Sequence, residues 1–123
     1  MPHRHCLTLD LKNDPALVAA YREHHAHVWP EVLDSLRDAG IVDAEIYVFE
    51  TRMVLILDVN DEFSFEAKAR ADAANPAVQA WETLMWTFQQ PLPGTPAGEK
   101  WRLMERVFTL TGEGRGNDDF LSA

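Results

Sequence analysis

Tyr21 and His25 stand four residues apart in the run Tyr21-Arg22-Glu23-His24-His25-Ala26-His27-Val28-Trp29-Pro30-Glu31. On a helix that spacing puts both side chains on one side, with Trp29 one turn further along. A phenol beside an imidazole can transfer protons or hold a polar ligand, because histidine titrates near neutral pH and tyrosine both donates and accepts hydrogen bonds. Spacing alone favours a plainer alternative, a partly buried pair satisfied by backbone partners. The cluster of His24, His25 and His27 also raises metal binding. Adjacent histidines diverge by about 100° around a helix, however, and no cysteine or Glu-x-x-His arrangement completes a ligand set. No metal is expected, and His24 and His27 read as solvated or packed against a second subunit.

Four tryptophans, Trp29, Trp81, Trp86 and Trp101, are many for 123 residues. Indoles mostly fill cores, but they also stack on the apolar faces of sugars while the ring nitrogen donates a hydrogen bond. Trp81, beside Gln79 and Glu82, joins an apolar platform to polar groups and is the ligand-contact candidate; Trp86 and Trp101 read as core. Among the carboxylates Glu105 stands out, since it falls inside an expected strand on the Leu103 and Val107 face, where an unpaired charge is costly. No Walker loop, GxGxxG, GxSxG or CxxC is present, which argues against nucleotide-dependent, thiol or serine-nucleophile chemistry.

The elements that must carry these residues are legible from periodicity. Arg4 to Leu11 alternates as a half-buried strand. Asn13-Asp14-Pro15 caps a helix with Leu17, Tyr21, His25 and Val28 on its apolar stripe, which kinks or restarts at Pro30 and stops at Gly40. Val42 to Glu50 and Met53 to Val59 read as strands joined by a hairpin at Glu50-Thr51-Arg52. Helical pattern then runs over Asp61 to Ala74 and again from Asn75-Pro76, with Val78, Trp81, Met85 and Phe88 in one stripe. Prolines and glycines break structure from Gln89 to Lys100, and Trp101 to Leu110 reads as the last strand. Residues 111–123, with three glycines, read as a flexible C-terminal tail, leaving residues 1–110 as a single domain.

Strand, helix, strand, strand, helix, strand is the order of the α+β ferredoxin-like split βαβ unit, a four-stranded antiparallel sheet with helices on one face. Apolar and aromatic residues on both faces of the hairpin (Ile46, Val48, Tyr47, Phe49) imply that the other face is covered too, most simply by a second copy, giving a homodimer. A net charge of −9 without a basic stripe disfavours nucleic acid and anionic membranes as partners. One cysteine, no apolar leader and no run of eighteen apolar residues point to the cytoplasm.

Tyr21-x-x-x-His25, Trp29-Pro30-Glu31, the Ile46-Tyr47 strand, Gln79-x-Trp81, Met85 and Val107-Phe108 together resemble the L-rhamnose mutarotase family over about nine tenths of the chain. The resemblance implies a dimeric α/β-barrel-type ferredoxin-like fold, no cofactor, and interconversion of the α and β anomers of a 6-deoxy-L-hexose. By position it makes His25 the proton donor and Tyr21 and the Trp81-Glu82 pair sugar-binding groups; beside these, Trp29, whose indole can pack on a sugar's apolar face, and Tyr47 are expected as further substrate contacts. Two departures bear on the sugar. Ala44 stands where the family has a second substrate-binding tyrosine, and Glu82 where it has the second of two tryptophans, which leans the expectation toward L-fucose over L-rhamnose. Two other classes stay open on fold and residues: a cofactor-independent or haem-degrading monooxygenase, and a non-catalytic sugar-binding module.

Overall fold

A computed structural model describes residues 3–112 of the chain; of the tail expected at 111–123, all but the first two residues lie outside that range. The elements follow in the order β1 His3–Leu11, α1 Pro15–Ala26, α2 Pro30–Asp38, β2 Ile41–Phe49, β3 Arg52–Val59, α3 Phe65–Ala73, α4 Pro76–Trp86, β4 Gln89–Gln90 and β5 Arg102–Met104.

Three of the helices begin as the sequence dictates. The Asp14 carboxylate accepts hydrogen bonds from the backbone N–H of Ala16 and Leu17, the Asn75 side chain does the same for Ala77 and Val78, and proline occupies the first turn of α1, α2 and α4. The expected restart at Pro30 is a clean break: α1 ends at Ala26, and Trp29 is extended (φ −62°, ψ 137°) as the cap of α2. A residue before proline is pushed out of the helical region by the pyrrolidine ring. After α2, Gly40 takes φ 100°, and a side chain there would also collide with that of Asn60.

The sheet is antiparallel throughout, ordered β2-β3-β1, with β4 and β5 both on the free edge of β1. This is the ferredoxin-like arrangement with one correction to its fourth strand. In place of a single strand at 101–110, two short pieces share the position: Gln89–Gln90 pairs with Asp10 and Leu11, and Arg102–Met104 with Cys6 to Thr8. The proline- and glycine-rich stretch between them leaves the sheet and returns. Glu105 therefore lies past the strand and is exposed, so the expected cost of burying it does not arise.

Register assigns the faces. Leu7, Leu9 and Leu11 lie with Met53, Leu57 and Val59 under the helices. The main core joins Leu9, Leu11 and Met53 to Tyr21 of α1, Val32 of α2, and Trp81 and Met85 of α4, with Phe88 at its end. Helix α3 buries no residue. On the opposite face Thr8, Val54 and Tyr47 line up, beside Phe49, Ile56 and Met104, with no helix over them. A register shift between Ile41 and Asp43 puts a bulge at the start of β2. No helix among the described residues is long and apolar enough to cross a membrane.

Candidate active site

The second half of α1 lies over the sheet so that Tyr21 faces inward and is buried, while His25, one turn later, is half-buried at the margin. Their rings are 4.1 Å apart, centre to centre, and tilted by 32°. Trp81 of α4 meets His25 edge to face at 5.6 Å, and Trp29 packs edge to face on Trp81 at 5.1 Å. The helix break before Pro30 thus does not remove Trp29 from the group: the turn carries it back over α4. Phe88 closes the floor, 6.2 Å from Tyr21 and 5.4 Å from His24. His24, expected in solvent or at a subunit contact, is half-buried within the chain and edges toward Trp81 at 6.5 Å. His27 lies outside the group, 3.4 Å from Glu23 on the exposed side of α1.

The tautomer of His25 follows from its partner. Its Nδ1 lies 3.0 Å from the Tyr21 carbonyl oxygen, and a carbonyl can only accept, so Nδ1 carries the hydrogen. Nε2 is left with its lone pair when the ring is neutral. Burial holds the His25 pKa below its ordinary value, the bond to the Tyr21 carbonyl works against that, and the charge of His24 reinforces it. The ring is therefore neutral at pH 7. Burial pushes the Tyr21 phenol up to about 12; a hydrogen bond from Gln89 opposes the rise and the charge of Glu82 adds to it. Tyr21 stays protonated through the physiological range. The pair thus offers one base, Nε2, and one hydroxyl donor, side by side against aromatic walls.

Glu82 sits one residue past Trp81 with its carboxylate 2.7 Å from Lys100 Nζ. Lys100 is nearly buried along its length and its ammonium lies 5.1 Å over the Trp86 ring. Both Lys100 and the buried Gln89 were missed by sequence reasoning. They fall in the irregular stretch after α4, where no periodicity ranks one polar residue above another; the only sequence signal for Gln89 is that a polar pair directly follows the apolar stripe ending at Phe88.

Tyr47 is not brought to this group. Its β2 position pairs with Val54, whereas its neighbour Val48 pairs with the buried Met53, so Tyr47 projects from the helix-free face. It is 58% exposed, and its hydroxyl donates to Glu45 at 3.3 Å. Within one chain, strand alternation therefore keeps it apart from His25. A recess lined by Arg37, Asn60, Lys68 and Asp72, between α2 and α3, contains none of the expected site residues.

Comparison with known proteins decides what this arrangement belongs to. The model of the L-rhamnose mutarotase family matches residues 4–110. The chain belongs to the L-rhamnose mutarotase family. It is accordingly an isomerase acting on a carbohydrate. An L-fucose mutarotase of Xanthomonas campestris pv. campestris is 47% identical over 110 residues, covering 88% of each chain. A Dictyostelium discoideum protein is 30% identical over 106 residues, covering 83% of this chain and 85% of its own. Among solved structures, an L-rhamnose mutarotase of Formosa agariphila superposes with a TM-score of 0.64 at 22% identity, over 88% of this chain and 98% of that one; it bears on the fold. The family match sets the monooxygenase alternative aside.

Proposed function

We propose that this protein interconverts the α and β anomers of a 6-deoxy-L-hexose, with L-fucose favoured and L-rhamnose second. The observation that carries the reading is the Tyr21–His25 pair, with His25 Nδ1 committed to a carbonyl, in a chain 47% identical to an L-fucose mutarotase. Ala44 and Glu82 support the order of preference. The domain responsible extends to about residue 110, where the family match ends.

Ring opening breaks the bond between the anomeric carbon and the ring oxygen. The anomeric hydroxyl loses a proton as its oxygen becomes the aldehyde carbonyl, and the ring oxygen gains one. Neutral His25 takes the first proton on Nε2, and the Tyr21 hydroxyl donates toward the ring oxygen. Rotation of the aldehyde and closure on its other face reverse both transfers, and the imidazolium formed in the first half is the proton donor of the second. Both groups return to their starting states. Trp81 and Trp29 pack on the sugar's apolar face and methyl group, and Glu82, fixed by Lys100, accepts from a sugar hydroxyl.

The helix-free face supports a homodimer as part of the same proposal. Tyr47, Phe49 and Met104 are exposed on it at 58%, 77% and 39%, next to the half-exposed Val54 and Ile56. Burying them against a second copy removes a contiguous apolar patch from water. The half-buried free thiol of Cys6 suits a reducing compartment, in keeping with the cytoplasm.

Saturation-difference NMR on L-fucose and L-rhamnose, with and without protein, tests the assignment. Catalysed exchange is expected for the parent, falling by ~10²-fold or more in His25→Ala, the lower end of general-acid catalysis. Undiminished exchange in His25→Ala would remove His25 from the mechanism; sugar binding without exchange in the parent would make the protein a binding module.

A further inference from the structure

Among the described residues Gln89 is the one buried side chain with an unpartnered polar atom: it is 3% exposed, and its Oε1 has no hydrogen-bond partner. Such a group costs free energy comparable to a lost hydrogen bond, and native proteins hold few of them. Its position gives the cost a purpose. Gln89 pairs across the sheet with Leu11, which puts its side chain on the helix-covered face, next in sequence to Phe88 on the floor of the aromatic group. Its carboxamide also lies beside the Tyr21 hydroxyl and works against the rise that burial gives the phenol, and with Oε1 unpartnered the amide N–H is the end that can meet the phenol oxygen.

The polarity of that contact matters. If the Gln89 oxygen faced Tyr21, the phenol would give its hydrogen to the glutamine. With the amide N–H donating to the phenol oxygen, the Tyr21 hydrogen stays available to a ligand and the Gln89 oxygen is left open as an acceptor. Phenol donor and amide acceptor then lie next to each other, both buried, under the half-buried His25. A sugar, whose adjacent oxygens alternate between donating and accepting, can satisfy both at once.

We propose that Gln89 is a specificity-determining residue of the anomer exchange, its Oε1 accepting a hydrogen bond from one ring hydroxyl of the bound 6-deoxy-hexose while its N–H group orients Tyr21. This rests on the mutarotase reading above. The sugar enters past the half-buried His25 and Trp29, and one of its hydroxyls donates to the Gln89 oxygen. A site built around such an acceptor rejects analogues missing the matching hydroxyl, because the amide oxygen is then left buried and unpaired in the complex.

The test is a cycle between protein and substrate. Anomer exchange is measured for L-fucose and for its 2-, 3- and 4-deoxy analogues, with the parent and with Gln89→Met, which keeps side-chain length and removes both polar ends. For one analogue the parent is expected to lose roughly 10- to 100-fold in kcat/KM. Gln89→Met should lose a similar factor on L-fucose and almost nothing further on that same analogue; dividing one ratio by the other cancels each sugar's intrinsic reactivity. Its melting temperature should stay close to the parent's, since the lost bond to Tyr21 is offset by removal of an unpaired buried oxygen, whereas a purely structural glutamine would cost stability and slow all sugars equally. Equal sensitivity of both proteins to every deoxygenation overturns the proposal. So does a parent indifferent to all three deoxygenations, a result that needs no variant to fold. A parent that exchanges neither L-fucose nor L-rhamnose overturns the functional reading and this inference with it.

Discussion

A histidine with one nitrogen bound to a carbonyl has one nitrogen left for chemistry, and His25 is that residue here. Its pH dependence has a defined sign. Because burial lowers its folded pKa below the ordinary value near 6.5, the unfolded chain binds a proton that the folded chain does not as pH falls through 6.5. Folded stability is therefore lost on acidification in that window, and kcat/KM falls as Nε2 becomes protonated. Exchange rates followed from pH 8 to pH 5 should be flat at the alkaline side with an acid limb below about pH 6.5, and urea midpoints should drop over the same limb, less so in His25→Gln. An acid limb unchanged in an active His25 variant would assign it to another group. His5 is lowered by burial too, so the difference between the two proteins is the quantity to read. The Tyr21–His25 pairing was legible because helical spacing alone predicts it. The direction of the proton was not, because it depends on a backbone carbonyl that no side-chain pattern encodes. Gln89 was invisible for a related reason: its meaning lies in a missing partner.

At the scale of elements, the site depends on α4 keeping Trp81 and Glu82 against α1. The Asn75 side chain holds two otherwise unpaired N–H groups at the start of that helix, at 3.1 and 3.3 Å. Asn75→Ala should cost about 1 kcal/mol in urea unfolding with an unchanged slope, and a loss near zero would mean water replaces the cap. Capping asparagine or aspartate followed by proline made α1 and α4 readable from sequence, and alternation did so for β1, β2 and β3. The last strand was read too long because alternation continues past the point where its partner accepts it. Continuing the β5 register two residues beyond Cys6–Met104 sets Arg106 opposite Arg4, two like charges where pairing disfavours them. The two-residue β4 is too short to show any period at all.

The whole molecule is a one-sided sandwich, helices over one sheet face and apolar side chains on the other. Placing one negative charge in that bare face is the sharpest test of how it is covered. Phe49→Asp, at a position already 77% exposed, costs the single chain little. In sedimentation equilibrium at micromolar concentration the parent is expected at twice the chain mass and the variant at the chain mass, with the same far-UV spectrum. A monomeric parent would leave the apolar face without its proposed occupant. The apolar character of this face was legible from Tyr47 and Phe49 in the sequence, but that Tyr47 stands on it and not on the helix-covered face was not: one residue along a strand separates the two.

The bulge at the start of β2 bears on how copies of this chain avoid one another. Strand β2 is the outer edge of the sheet, nine residues long, and its free backbone groups could template a neighbouring molecule. Two such edges laid antiparallel would bring Asp43 and Glu45 of each close to those of the other, and the bulge at Ile41–Asp43 turns the end of the ladder out of line. Edge-to-edge pairing is thereby disfavoured at the strand that most invites it, which leaves the helix-free face, the surface of the proposed dimer, as the place where a second copy would add without extending the sheet.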